Sequence, residues 1–210
     1  MSHDALPPLP ESPPNPAVPA GPPTASAAPS APAVPTGSAA LIAVLLSGSA
    51  VAVMIGVYGR LHSPTGVAIN IAGFSGPQEV KAWLGTVAFA LALVQLVSAL
   101  AMYGKLPVRA PAWTGTVHRW SGRIAFLAAV PVAVHCLYAL GFQAFDTRVL
   151  VHSLVGCLFF GAFTVKMLAL SRPGLPGWLL PAFGGLVFTG LTLLWLTSSL
   201  WFFTTFGVRF

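Results

Sequence analysis

At 210 residues the chain is long enough for one ordinary domain, but 56% hydrophobic residues, 7% charged residues and a mean hydropathy of +0.82 exclude a soluble one. A net charge of +6 and a pI near 10.0 do not describe a nucleic-acid binder either, because the ten Lys and Arg residues stand singly at the ends of apolar runs and form no stripe. The composition is that of an integral membrane protein whose first partner is the lipid bilayer.

Residues 1–38 hold twelve of the twenty prolines, mixed with Ala, Ser and Gly and almost no large apolar side chain. Such a segment cannot bury a core and is expected to be a disordered tail. Its spaced prolines, as in PPLPESPPNP, favour an extended polyproline II path and suit an aromatic groove on a cytosolic partner. No basic stretch precedes the first apolar run, so the tail is not read as a cleavable signal peptide, and the first helix is expected to act as a signal anchor.

Residues 39–210 are expected to form an all-α membrane domain, a four-helix bundle plus one. Five apolar runs are long enough to cross a hydrocarbon core of ~30 Å, which takes ~20 helical residues. They lie near 39–58, 82–103, 121–142, 149–170 and 179–203. Ahead of the second run, Ser75, Gly76 and Pro77 offer an N-cap and a first-turn proline, and Gln78 and Glu79 suit the positive end of the helix dipole. Pro107 and Pro111 stop that helix, and Pro173, Gly174, Pro176 and Gly177 punctuate the turn before the fifth.

An N-terminus in the cytoplasm puts Lys105, Arg109, Arg119, Arg123, Lys166 and Arg172 inside, against Arg60, Lys81, Arg148 and Arg209 outside. This bias favours N-in and C-out in a plasma membrane. Trp113, Trp120 and Trp178 then line the inner interface, and Trp195, Trp201 and Phe206 the outer one. The long outer loop from Gly59 to Val80 carries His62 in the phrase GRLHSPTG. Cys136 and Cys157 fall inside spans and read as small buried hydrophobes rather than a disulfide framework.

Chemistry is expected from the histidines. An imidazole inside a hydrocarbon-length helix must find a partner for its polar nitrogens, so it is a functional-site candidate by default. His135 and His152 sit in the outer parts of the third and fourth spans, at depths differing by only ~6 Å for a rise of ~1.5 Å per residue. Two neutral imidazoles at similar depth on different helices are what axial ligation of a haem iron requires. The iron-ligand candidates are therefore His135 and His152, with His62 or Met102 as an alternative partner for either. His118, at the inner end of the third span, reads as an interfacial residue or a further ligand. Lys166, fourteen residues after His152 and close to the same helix face, is a candidate to neutralise a haem propionate or a quinone carbonyl, or to reach the inner headgroups. Beside each of these stands the plainer reading of a histidine hydrogen-bonded to a neighbouring helix.

HRWSG at 118–122 and HSLVG at 152–156 both read H-x-x-x-G and resemble the packing around haem in transmembrane b-type cytochromes, such as the ascorbate-reducible two-haem cytochromes. That resemblance implies haem b and electron transport. The phrases GRLHSPTG, HRWSGR, HCLYALGF, HSLVGC, LPGW and WLTSSLWFF resemble, over roughly residues 56–203, an uncharacterised actinobacterial five-span membrane family. No activity is implied by it. The expected function is an electron-transfer protein passing electrons between an outer-face redox protein and a quinone, an oxidoreductase component rather than a stand-alone enzyme. The alternative is a cofactor-free membrane anchor or assembly subunit of a redox complex. A transporter or proton relay is disfavoured because no acidic residue lies within a span.

Overall fold

The computed structural model describes residues 37–68, 70, 71 and 73–210. The expectation of a disordered, partner-binding tail falls on residues 1–36, which lie outside the described ones; Gly37 and Ser38, assigned to that tail, are helical. Five helices carry the described residues, with no strand among them: α1 (Gly37–Leu61), α2 (Pro77–Met102), α3 (Thr114–Leu140), α4 (Thr147–Ser171) and α5 (Leu179–Phe206). Each has 25 to 28 residues. At ~1.5 Å per residue that length covers a hydrocarbon core of ~30 Å. Leu46, Val53, Leu127 and Leu158 project outward and are exposed. Lipid, which gives apolar side chains no reason to hide, accepts such a surface where water would not. The protein is a multi-pass, all-α membrane protein.

The helix ends follow local chemistry. Pro77 opens α2 at a position where its missing N–H costs nothing, with Gly76 as an extended N-cap. Ser75 does not cap it; its N–H and its hydroxyl both donate to the carbonyl of Phe210, tying the last residue of the chain to the start of α2. Helix α3 starts at Thr114, seven residues before the apolar run at Ser121 suggested. The intervening TGTVHRW stretch is helical because α2 takes up its polar groups: the Gln95 amide donates to the backbone carbonyl of His118 and, at 2.8 Å, to the Ser121 hydroxyl. α3 ends at Gly141, whose φ of +71° strains any residue with a Cβ. Asp146 caps α4 by accepting the Val149 N–H at 2.7 Å. Replacing Asp146 with Ala should cost about 1 kcal/mol, read as a lower thermal midpoint in detergent, whereas Asn should retain most of the cap.

Helix α4 is the hub, packing on α1 along one side and α5 along another, while α2 packs mainly on α3 and also meets α5. The α1–α4 crossing is tight. A Cβ built on Gly48 would lie 2.6 Å from the carbonyl oxygen of Gly161, and one built on Gly161 would lie 2.6 Å from that of Gly48. Only small residues allow backbones this close, and close packing is what holds helices together in lipid. Consecutive α3 and α4 instead meet through the rings of Phe126 and Phe163, stacked with centroids 4.6 Å apart. These two helices are not among the closely packed pairs of the bundle.

Two helices widen into π turns at the end of the bundle that carries the α3–α4 connection: His135–Leu140 in α3 and Leu196–Leu200 in α5. Pro131, which has no N–H for the carbonyl of Leu127, precedes the first by one turn. The loop after α1 closes over this π turn. The carbonyl of Tyr138 accepts the His62 ring Nε2–H at 3.1 Å and the Thr65 N–H at 3.2 Å, and that of Ala139 accepts the Gly66 N–H at 3.1 Å.

Candidate functional site

The spacing between α3 and α4, together with the two π turns, leaves a half-open cavity of about 1030 Å³ at that end of the bundle. Its walls come from all five helices and are largely apolar, Val132 and Leu137 of α3 facing Phe159 and Phe160 of α4. Ligand pockets run to about 1,000 Å³ and combine an apolar lining with a few placed polar groups. Here the imidazole of His152 and the charged groups of Arg148, Lys81, Arg209 and Glu79 lie on the wall, with Gln78, Gln143 and Ser153 among the neutral polar ones.

His152 is placed by two elements. One helical turn into the apolar part of α4, its Nδ1 lies 2.9 Å from the Thr197 hydroxyl in the π turn of α5. That hydroxyl has a single hydrogen, spent on the carbonyl of Leu193 at 2.7 Å. The imidazole must therefore donate from Nδ1, which leaves Nε2 as a bare lone pair. Nε2 has no hydrogen-bond partner among the described residues and is not sealed off, on a ring that lines the cavity. A neutral imidazole with one nitrogen held by a hydrogen bond and the other free is the arrangement of a metal-ligating histidine.

Thr197 does a second thing. Its carbonyl accepts the Arg148 guanidinium at 2.8 Å. The same guanidinium lies 3.8 Å over the Trp201 ring and 3.8 Å from the carboxylate of Asp146. Arg148 and His152 are four residues apart on α4, so one residue of α5 orients both groups on one helix face.

The other sequence candidates lie elsewhere. His135 opens the π turn of α3 but is not on the cavity wall; its Nε2 is enclosed with no hydrogen-bond partner among the described residues. The neighbouring Cys136 does line the cavity. His62 is at the same end, sandwiched between the rings of Tyr58 and Tyr138 with centroids 5.0 and 5.1 Å away, and it holds the loop rather than facing the cavity. His118 sits towards the opposite end. Its Nδ1 lies 2.8 Å from the Ser98 hydroxyl, whose hydrogen goes to the carbonyl of Val94 at 2.6 Å, so the tautomer matches that of His152. Lys166, half-buried on α4, is likewise away from the cavity. Among the described residues no group of three or more His, Cys, Asp or Glu gathers to hold a metal ion.

Sequence reading passed over Thr197, Arg148 and Lys81 as site residues. The one signal was the hydroxyl triplet in WLTSSLW, polar groups in an apolar span that must bond to something.

No curated protein and no solved structure matches the chain. The profile of a family described as "Family of unknown function (DUF6529)" matches residues 40–210, a stretch that begins in α1 and takes in all five helices and the cavity. The chain belongs to that family, DUF6529, a family of unknown function.

Proposed function

We propose that the chain is an integral-membrane electron-transfer protein of the b-type cytochrome kind, an oxidoreductase component in which His152 carries haem b within the cavity. The observation behind this reading is the imidazole of His152, held at Nδ1 by Thr197 and lining a cavity of about 1030 Å³ with Nε2 unpartnered among the described residues. The donor set fits the group on that side: a neutral nitrogen ligand, largely apolar walls, and cations where acid groups would emerge. Haem bound there supplies one-electron chemistry. Thr197 keeps the proton on Nδ1 and the ring in place, and Phe159 and Phe160 keep the local dielectric low. His135, expected from the sequence as the second ligand, neighbours the wall residue Cys136 but stands off the wall with its Nε2 enclosed, so it would complete a pair only after its ring turned toward the cavity. The optical spectrum of purified protein tests the reading: a Soret band with dithionite-sensitive b-type bands supports it, and colourless folded protein from haem-replete cells leaves the cofactor-free anchor subunit as the better account.

The bias of basic residues supports an N-in, C-out orientation in the plasma membrane, which puts the cavity at the outer face. An outer-face redox protein and a membrane quinone are then the natural electron partners. Reporters fused at Gly37 and after Phe210 should report opposite compartments, inside and outside respectively. The reverse assignment would move the cavity to the cytoplasmic side.

A further inference from the structure

The cavity has a charged end that an apolar ligand would not need. Lys81 of α2, Arg148 of α4 and Arg209 beyond α5 all line it, so three cations converge from three separate elements. A cation at the edge of a membrane-embedded cavity is costly unless something neutralises it. Two acids lie near them, and three cations outnumber both. Asp146 caps α4 and stands 3.8 Å from Arg148, the sole ion pair among the described residues. Glu79 also lines the cavity, near the start of α2, its Oε2 3.0 Å from where a Cβ of Gly76 would be, and it forms no ion pair with the three cations. Lys81 has no acidic partner among the described residues.

Arg148 is the fixed member of the set. Held by the Thr197 carbonyl and the Trp201 ring, it lies one turn of α4 nearer the membrane surface than His152, ~6 Å along the helix axis. A ligand reaching both must carry a group that accepts a nitrogen lone pair and, about one helical turn away, an anionic oxygen. We infer that Lys81, Arg148 and Arg209 are the carboxylate-binding end of this cavity, taking the acid groups of a lipid-soluble cofactor whose apolar body lies against Phe159 and Phe160. This assignment rests on the haem reading and goes beyond it: Lys81, Arg148 and Arg209 would hold the two propionate carboxylates of the bound group. Lys81 and Arg209 would add counter-charge, and the planar guanidinium of Arg148 would set direction.

The test is a titration of protein purified in zwitterionic detergent from haem-starved cells. The two probes are iron(III) protoporphyrin IX and its dimethyl ester, which keeps the iron and the macrocycle but has no carboxylate. The free acid should bind the wild-type protein at least about tenfold more tightly than the ester, as expected of charge-assisted contacts. Lys81→Gln should weaken the free acid alone, and Lys81→Arg should restore it. Equal affinity of the wild-type protein for acid and ester, with binding still lost in His152→Ala, overturns the carboxylate site and leaves the haem reading standing. An equal loss of both probes in Lys81→Gln also overturns it, because Lys81 would then be acting on the fold. Failure of both probes to bind in a His152-dependent way overturns the haem reading, and this inference with it.

Discussion

Replacing His152 with Ala should leave a folded protein that no longer retains haem, the largest single change expected from any side chain in the cavity. Among the described residues the imidazole supplies the one nitrogen lone pair on that wall, and no other histidine lines the cavity. Thr197→Val keeps the shape and removes the hydroxyl, so it should weaken haem retention by roughly 10- to 100-fold, the usual cost of losing the group that orients a ligand imidazole. Thr197→Ser, which keeps the hydroxyl, should recover most of it. His118→Ala should leave haem content unchanged, because that ring stands at the other end of the bundle against Ser98. His135→Ala distinguishes two spectra: content retained with a high-spin spectrum in the parent protein means that one imidazole holds the iron, while low-spin bands lost in both variants mean that His135 completes a pair. Haem content that survives His152→Ala would place the ligand elsewhere. The measurement is the pyridine haemochrome content of each purified variant against its protein concentration.

Gly161→Leu should be the most damaging substitution for the fold. The ideal Cβ at this position already lies 2.6 Å from the Gly48 carbonyl oxygen and 2.9 Å from Cβ of Ala52, with backbone on the other side of the contact. A rotamer change cannot relieve that overlap; α1 and α4 must separate. Overpacking commonly costs ~1–3 kcal/mol, and forcing two helix backbones apart belongs at or above the top of that range. In lipid the separated helices recover no hydrophobic gain, since the tails are as apolar as the interface they leave. The variant should show a much lower thermal midpoint and lose its single peak in size-exclusion chromatography. Gly184→Leu is the control. A Cβ there meets nothing within 4 Å, so the same chemical change should be nearly silent. Equal behaviour of the two variants would mean that the α1–α4 contact does not hold the bundle together.

The five spans were legible because bilayer thickness imposes a length that the apolar runs have to meet, and the start marked by Pro77 carries its own backbone chemistry. The first two turns of α3 were not, because Thr114 to Trp120 read as polar until Gln95 and Ser98 of α2 are seen to bond with them. His152 could be picked out as an imidazole in an apolar helix, by composition and depth alone. Its function as a presented ligand could not, since Thr197 is 45 residues away and helical periodicity says which face a residue occupies but not which helix that face meets. His135 looked equivalent to His152 in depth and surroundings, yet it stands off the cavity wall, where the π turn of α3 sets the direction of each side chain. By itself the sequence determined an all-helical, five-span membrane protein with imidazoles among its apolar runs. Only the tertiary structure decided that α3 and α4 stand apart on the Phe126–Phe163 stack, that a cavity opens between them and that one histidine faces it. The physical reason is that membrane insertion depends on the summed hydrophobicity of a local segment, whereas a cavity depends on which side chains space the helices, and that is set by contacts between residues far apart in the chain.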